Sequence, residues 1–120
     1  MTAVHFDLET VRNDLNDIAD ASPEYIYKST SADGCVYFVD DSASCIVGKM
    51  FAKHGIAADS LTGLLNSRRI DLLPAAAPEV VSFDKDALEY ASSVQSNQDI
   101  GMSWGDSVKD AEYMILGRES

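Results

Sequence analysis

Leu8, Val11, Leu15 and Ile18 recur at the three- and four-residue intervals that stack side chains on one face of an α-helix. Asp7, just ahead of them, suits an N-cap, whose side chain accepts from an otherwise orphaned backbone N–H, and Pro23 cannot continue the helix. The spacing predicts a helix over 7–21. The same pattern returns twice near the C-terminus. Asp84 precedes Ala87, Ala91 and Val94, with Phe83 on the same face, and predicts a helix to about Gln98. Ser103 precedes Trp104, Val108, Ala111 and Ile115 and predicts another to Leu116, with Gly101 and Gly117 as stops. Each such helix has one apolar face and is stable only when that face is packed against another element.

The middle of the chain reads differently. Glu24-Tyr25-Ile26-Tyr27-Lys28 and Cys35-Val36-Tyr37-Phe38-Val39 are rich in aromatic and β-branched residues and flank a polar loop ending in Asp33-Gly34, which predicts a β-hairpin. Glu79–Phe83 is a candidate third strand. Ser42–Gly55 reads as a capped helix with Cys45 in its first turn and Gly55 as its stop, followed by a short helix from Asp59 or Ser60 that buries Leu61, Leu64 and Leu65. Asp71–Pro78 is a connector. No internal repeat or domain boundary interrupts the 120 residues, so the expectation is one α+β domain, 1–120, with a hairpin of two or three antiparallel strands and about five helices.

Charge narrows the functions available. Twenty Asp and Glu against nine Lys and Arg give a net charge of −11, which phosphate backbones and anionic membranes repel. The one adjacent basic pair, Arg68-Arg69, is too little for a nucleic-acid surface. No apolar run reaches the roughly 18 residues of a membrane span, and the polar N-terminus does not read as a signal peptide, so a cytoplasmic location is expected. The far side of the first helix carries Glu9, Asn13, Asp17 and Asp20, with Asp14 at its edge. Such a stripe is either a solvated helix face or a surface for a basic partner, and Asp14, Asp17 and Asp20 are the candidate binding residues.

Cys45 is the one residue that suggests nucleophilic chemistry. On a helical wheel Ile46, Val47, Met50, Phe51 and His54 form an apolar face, while Cys45 shares the other side with Gly48 and Ala52. Two readings follow. A helix N-terminus and the nearby Lys49 favour a thiolate; a stripe of small residues lets a second backbone approach, which makes Cys45 a packing residue. A thiol enzyme needs a base, and the chain has only His5 and His54. His54 lies about 13 Å along the same helix at 1.5 Å per residue, and nothing in the sequence positions His5. A Cys35–Cys45 disulfide is disfavoured in a reducing cytoplasm. Neither zinc-ligand spacing, a phosphate-binding glycine loop nor a hydrolase motif is present, so the expectation is a protein without catalytic residues, metal or cofactor.

Two resemblances bear on function. Val47–Ile70, "VGKMFAKHGIAADSLTGLLNSRRI", resembles the helix-turn-helix of excisionase-like and MerR-like DNA-binding proteins, with Gly55 as the turn glycine and Leu61 and Leu64 holding the second helix. It departs from them at Phe51, where the helix crossing usually takes a small residue. The pairing of "CVYFVDDSASCIVGKMFAKHGI" with "VQSNQDIGMSWGDSV" is similar to a group of small uncharacterised proteins of actinobacteria and their phages, in which a Cys-strand-Cys-helix segment is followed by a Q-D-x-G-x-x-W-G run, here Gln98–Gly105. That resemblance implies a phage or prophage accessory protein and no particular activity. The combined expectation is a small acidic non-enzymatic protein that binds the basic surface of a host or cellular protein, as an inhibitor in one form of the reading. The alternatives are a DNA-binding regulator using residues 47–70 and a thiol-dependent enzyme at Cys45.

Overall fold

Asp7 caps the first helix as its position suggests. In the computed structural model, which describes residues 3–28 and 36–117, its carboxylate accepts from the Thr10 N–H at 2.8 Å, and helix α1 runs Leu8–Ala21. Just before it Val4–Phe6 forms a strand, β1, that the residue pattern does not announce. β1 lies parallel to β4, Val81–Phe83, with His5 opposite Ser82 and Phe6 opposite Phe83. The third strand expected at 79–83 therefore exists, but its partner is the N-terminal segment rather than the hairpin. Aromatic packing explains the pairing: Phe6 is fully buried, stacks on Phe83 at 4.8 Å between ring centroids and also meets Phe51 and the edge of His54.

The hairpin is displaced along the chain. It is formed by β2, Phe38–Val39, and β3, Ser42–Ala43, around Asp40-Asp41, both of which have positive φ (50° and 68°). Two such residues in succession make the mirror-image turn that matches strand twist, and Asp tolerates it better than most residues. Glu24–Lys28, the expected first strand, begins in a turn and joins no sheet. Its backbone has another use: the carbonyls of Pro23 and Tyr25 each accept at 2.9 Å from Gly105 and Trp104, the first N–H groups of helix α5, Trp104–Ala111. Gly105 permits that approach, since a Cβ there would lie 2.8 Å from the Pro23 oxygen. The expected turn at Asp33-Gly34 and Cys35 lie outside the described residues.

Helix α2, Ile46–Lys53, is the central element. Cys45 is its N-cap rather than a first-turn residue, with Sγ accepting from the Gly48 N–H at 3.4 Å. Gly48 packs directly on the backbone of Tyr37, where a Cβ would meet the carbonyl oxygen at 2.2 Å. The helix is thus buried on two sides near its start, although Ala52, the last of the small residues, is exposed. Gly55 ends it at φ 79°. Two 3₁₀ turns, Ala58–Ser60 and Gly63–Ser67, stand where a second helix was expected, and the connector contains a single helical turn, α3, Leu73–Ala76.

Helix α4, Lys85–Asp99, packs against α1 and α5, and a π-helical turn at Glu112–Leu116 extends α5. The expected caps hold at Ser103, whose Oγ accepts from the Asp106 N–H, while Asp84 directs its carboxylate elsewhere. Two buried glutamines complete the interior. Gln98 Oε1 accepts from the Ile46 N–H at 2.9 Å and from Trp104 Nε1–H at 3.0 Å. Gln95 Oε1 accepts from the Ile70 N–H at 2.7 Å, and its Nε2 donates to the Tyr37 hydroxyl. α4 thereby supplies acceptors for two buried backbone N–H groups, one at the start of α2 and one in the turn that precedes α3. The result is a single small α+β domain of helices around minimal β structure.

Candidate functional site

α1 buries Val11, Leu15 and Ala19 and turns Glu9, Asn13, Asp17 and Asp20 to solvent, as its periodicity requires. Of the three candidate binding residues, Asp14 has a different environment from the other two. Its side chain is 14% exposed and pairs with His54 Nε2, and Lys53 Nζ lies 3.5 Å away and 3.8 Å from Asp17. His54 is the C-cap of α2, so its pair with Asp14 joins α1 to the end of α2. Asp17, with 73% of its side chain exposed, and Asp20 stay on the outer face.

The acidic face continues past the end of α1. Asp20, Glu24 and Asp106, all exposed, line a groove of about 500 Å³ between the α1 C-terminus and the start of α5, together with Ala19, Pro23, Val108 and the cationic Lys109. Glu24 and Asp106 carried no functional signal in the sequence. They are far apart along the chain and line the same groove because the Pro23 and Tyr25 carbonyls accept from the N–H groups at the start of α5.

Where α1 meets α4 and α5, Arg12 makes a two-pronged bond to Glu112 at 3.0 and 3.1 Å, and Tyr90 and Asn16 donate to the same carboxylate. Burial opposes ionisation of Glu112, but the Arg12 guanidinium and the two neutral donors outweigh it and hold the carboxyl below its usual range. Burial, reinforced by Glu112, pushes the Tyr90 hydroxyl up, and burial does the same to Tyr37. The cluster is a tie among three helices.

His5 is positioned after all. Its Nδ1 bonds Ser82 Oγ at 2.8 Å and its Nε2 bonds Asp84 Oδ1 at 3.0 Å, linking the two strands of the parallel pair to the start of α4. With about half of both His5 and Asp84 side chains exposed, water competes for these bonds, and the group serves as a surface clasp.

Two expected alternatives lose their structural basis. Cys45 is fully buried and disulfide-bonded, so it is neither an activated thiolate nor a free packing thiol; the expectation that set the disulfide aside on grounds of compartment is corrected. In residues 47–70 the segment after Gly55 forms 3₁₀ turns rather than a groove-reading helix, and Leu64, expected to pin that helix, is 78% exposed. Among the described residues no group of three or more His, Cys, Asp or Glu is arranged to hold a metal ion, and no helix is long and apolar enough to cross a membrane. Comparison with protein-family models, with curated proteins and with solved structures finds no match to the chain.

Proposed function

We propose that this chain is a small acidic, non-enzymatic accessory protein of the phage or prophage kind, which binds the basic surface of a host or cellular protein and inhibits it. One observation carries the reading: exposed carboxylates run along α1 through Glu9, Asp17 and Asp20 and continue to Glu24 and Asp106 at the start of α5. Such a face speeds encounter with a cationic partner and disfavours nucleic acid. Asp14 supports the face from behind, through its pair with His54, rather than by contact. The cytoplasm is the proposed compartment, and the disulfide at Cys45, of a kind that oxidising compartments favour, counts against it.

The test compares wild type with an Asp17→Asn/Asp20→Asn variant for binding to a basic protein recovered from the host. The expected result is salt-sensitive binding that the variant weakens mainly through slower association. Equal, salt-independent binding by both proteins would count against the proposal, as would sequence-selective retardation of DNA in a gel shift.

A further inference from the structure

We propose that the disulfide at Cys45 is a reversible redox latch on the β2–β3 hairpin, opened by a dithiol reductant and closed again while the domain stays folded. The chain has two cysteines, neither is free and Cys45 is bonded, so its partner is Cys35. The ring they close, residues 35–45, contains the whole hairpin. The flanks of the bond are held by other contacts, which is what makes it dispensable to the fold. The Ser44 N–H donates to the Tyr37 carbonyl at 2.8 Å, and Gly48 packs on the same Tyr37 backbone. The Tyr37 N–H donates to the Asn66 carbonyl at 3.0 Å, and the Asn66 amide holds the Phe38 N–H at 2.9 Å and the Phe38 carbonyl at 2.8 Å. Tyr37 is itself fully buried, and its hydroxyl donates to the Arg68 carbonyl. None of these contacts uses a sulfur. Tyr37 and Ser44 therefore stay together when the bond opens, and the two thiols, each within two residues of that pair, keep a high effective concentration for closure.

Burial sets the order of events. Cys45 is fully enclosed, so an incoming thiolate must attack the Cys35 sulfur. The new S–S bond forms as the Cys35–Cys45 bond breaks, and the electron pair leaves on Cys45. There the sulfur keeps the Gly48 N–H it already accepts at 3.4 Å, so α2 keeps its cap, and the helix start offsets part of the cost of a buried negative sulfur until a proton arrives. The reductant's second thiol then attacks its own first sulfur, releases Cys35 to take up a proton and departs as a cyclic disulfide. The chain gains the two electrons and two protons that the dithiol loses, and closure is the reverse reaction with the cyclic disulfide as oxidant. The latch does not rest on the acidic-face reading. It lets one fold stand as a dithiol in a reducing compartment and as a disulfide in an oxidising one.

The experiment equilibrates the full chain with graded mixtures of reduced and oxidised dithiothreitol, quenches in acid, labels thiols with N-ethylmaleimide in denaturant and reads the mass. Circular dichroism and amide NMR follow the fold in parallel. Expected is a single transition in which both thiols appear together, the same in the reductive and oxidative directions, with the helical signal unchanged and amide shifts confined to residues 36–48 and Asn66. The mixed disulfide trapped after brief exposure to reduced glutathione should sit on Cys35. Cys35→Ser, which removes the bond and leaves the Cys45 cap, should keep the wild-type helical signal. Reduction that requires denaturant, that unfolds the chain or that fails to reverse would overturn the latch, as would glutathione carried on Cys45 or loss of the helical signal in Cys35→Ser.

Discussion

Replacing Gln98 with Leu tests how the interior is held together. Gln98 is fully buried, and its Oε1 accepts from both the Ile46 N–H at the start of α2 and the Trp104 indole at the start of α5. Leucine fills most of the volume but leaves two buried donors without an acceptor, each at a cost of about 1–3 kcal/mol. The added apolar contact offsets about 1 kcal/mol, so the net loss should be about 3 kcal/mol. At an unfolding entropy of about 2.1 cal/mol/K per residue, each kcal/mol moves the midpoint by about 4 °C in a chain this size, which predicts a fall of about 12 °C. Urea unfolding followed by the fluorescence of Trp104, the sole tryptophan, should give the same loss with an unchanged m-value. Gln98→Met, which keeps a flexible unbranched shape but offers only a weak thioether acceptor, should lose nearly as much. A loss below about 1 kcal/mol in both variants would refute the claim that this amide is the shared acceptor for two helix starts.

Other outcomes follow from the same contacts. Glu112 has its pKa held down in the fold, so its contribution is present above the ordinary carboxylate range and is lost as pH falls through the lowered value. Thermal melts at pH 7 and about pH 3 should therefore differ less for Glu112→Gln than for wild type; an equal difference would show that the Arg12–Glu112 tie is energetically idle. Gly48→Ala places a Cβ against the Tyr37 carbonyl and should cost about 2–3 kcal/mol by forcing the backbones apart, measurable by urea unfolding, whereas a neutral result would contradict the close approach. Iodoacetamide applied to the native, unreduced protein should leave Cys45 unmodified by mass spectrometry, and rapid labelling would contradict its buried, bonded state.

Helices α1, α2, α4 and α5 were legible because their determinants are local, whereas the helix expected from Asp59 or Ser60 is a pair of 3₁₀ turns. Caps at Asp7 and Ser103 and the apolar spacing behind them specify where α1 and α5 begin whatever the rest of the chain does. The strands were not. Tyr25 and Tyr27 look like strand residues, but their segment is claimed by the start of α5, a contact set by chain positions about eighty residues away. β1 is three residues long and is paired by aromatic stacking with Phe83, which no short window of sequence shows. Gln95 and Gln98 read as ordinary polar helix positions because burial of an amide depends on which loops reach it. The candidate site divides the same way: the row on α1 follows from periodicity, whereas the addition of Glu24 and Asp106, and the diversion of Asp14 to His54, depend on tertiary contacts.

The acidic face is tested most directly by affinity capture from a host lysate with wild type and with a Glu9→Gln/Asp17→Asn/Asp20→Asn variant side by side, in a series of salt concentrations. The account predicts one basic protein retained by the wild type, released as salt rises and absent from the variant. Retention of the same proteins by both at every salt concentration, or capture of a DNA fragment in place of a protein, would contradict it.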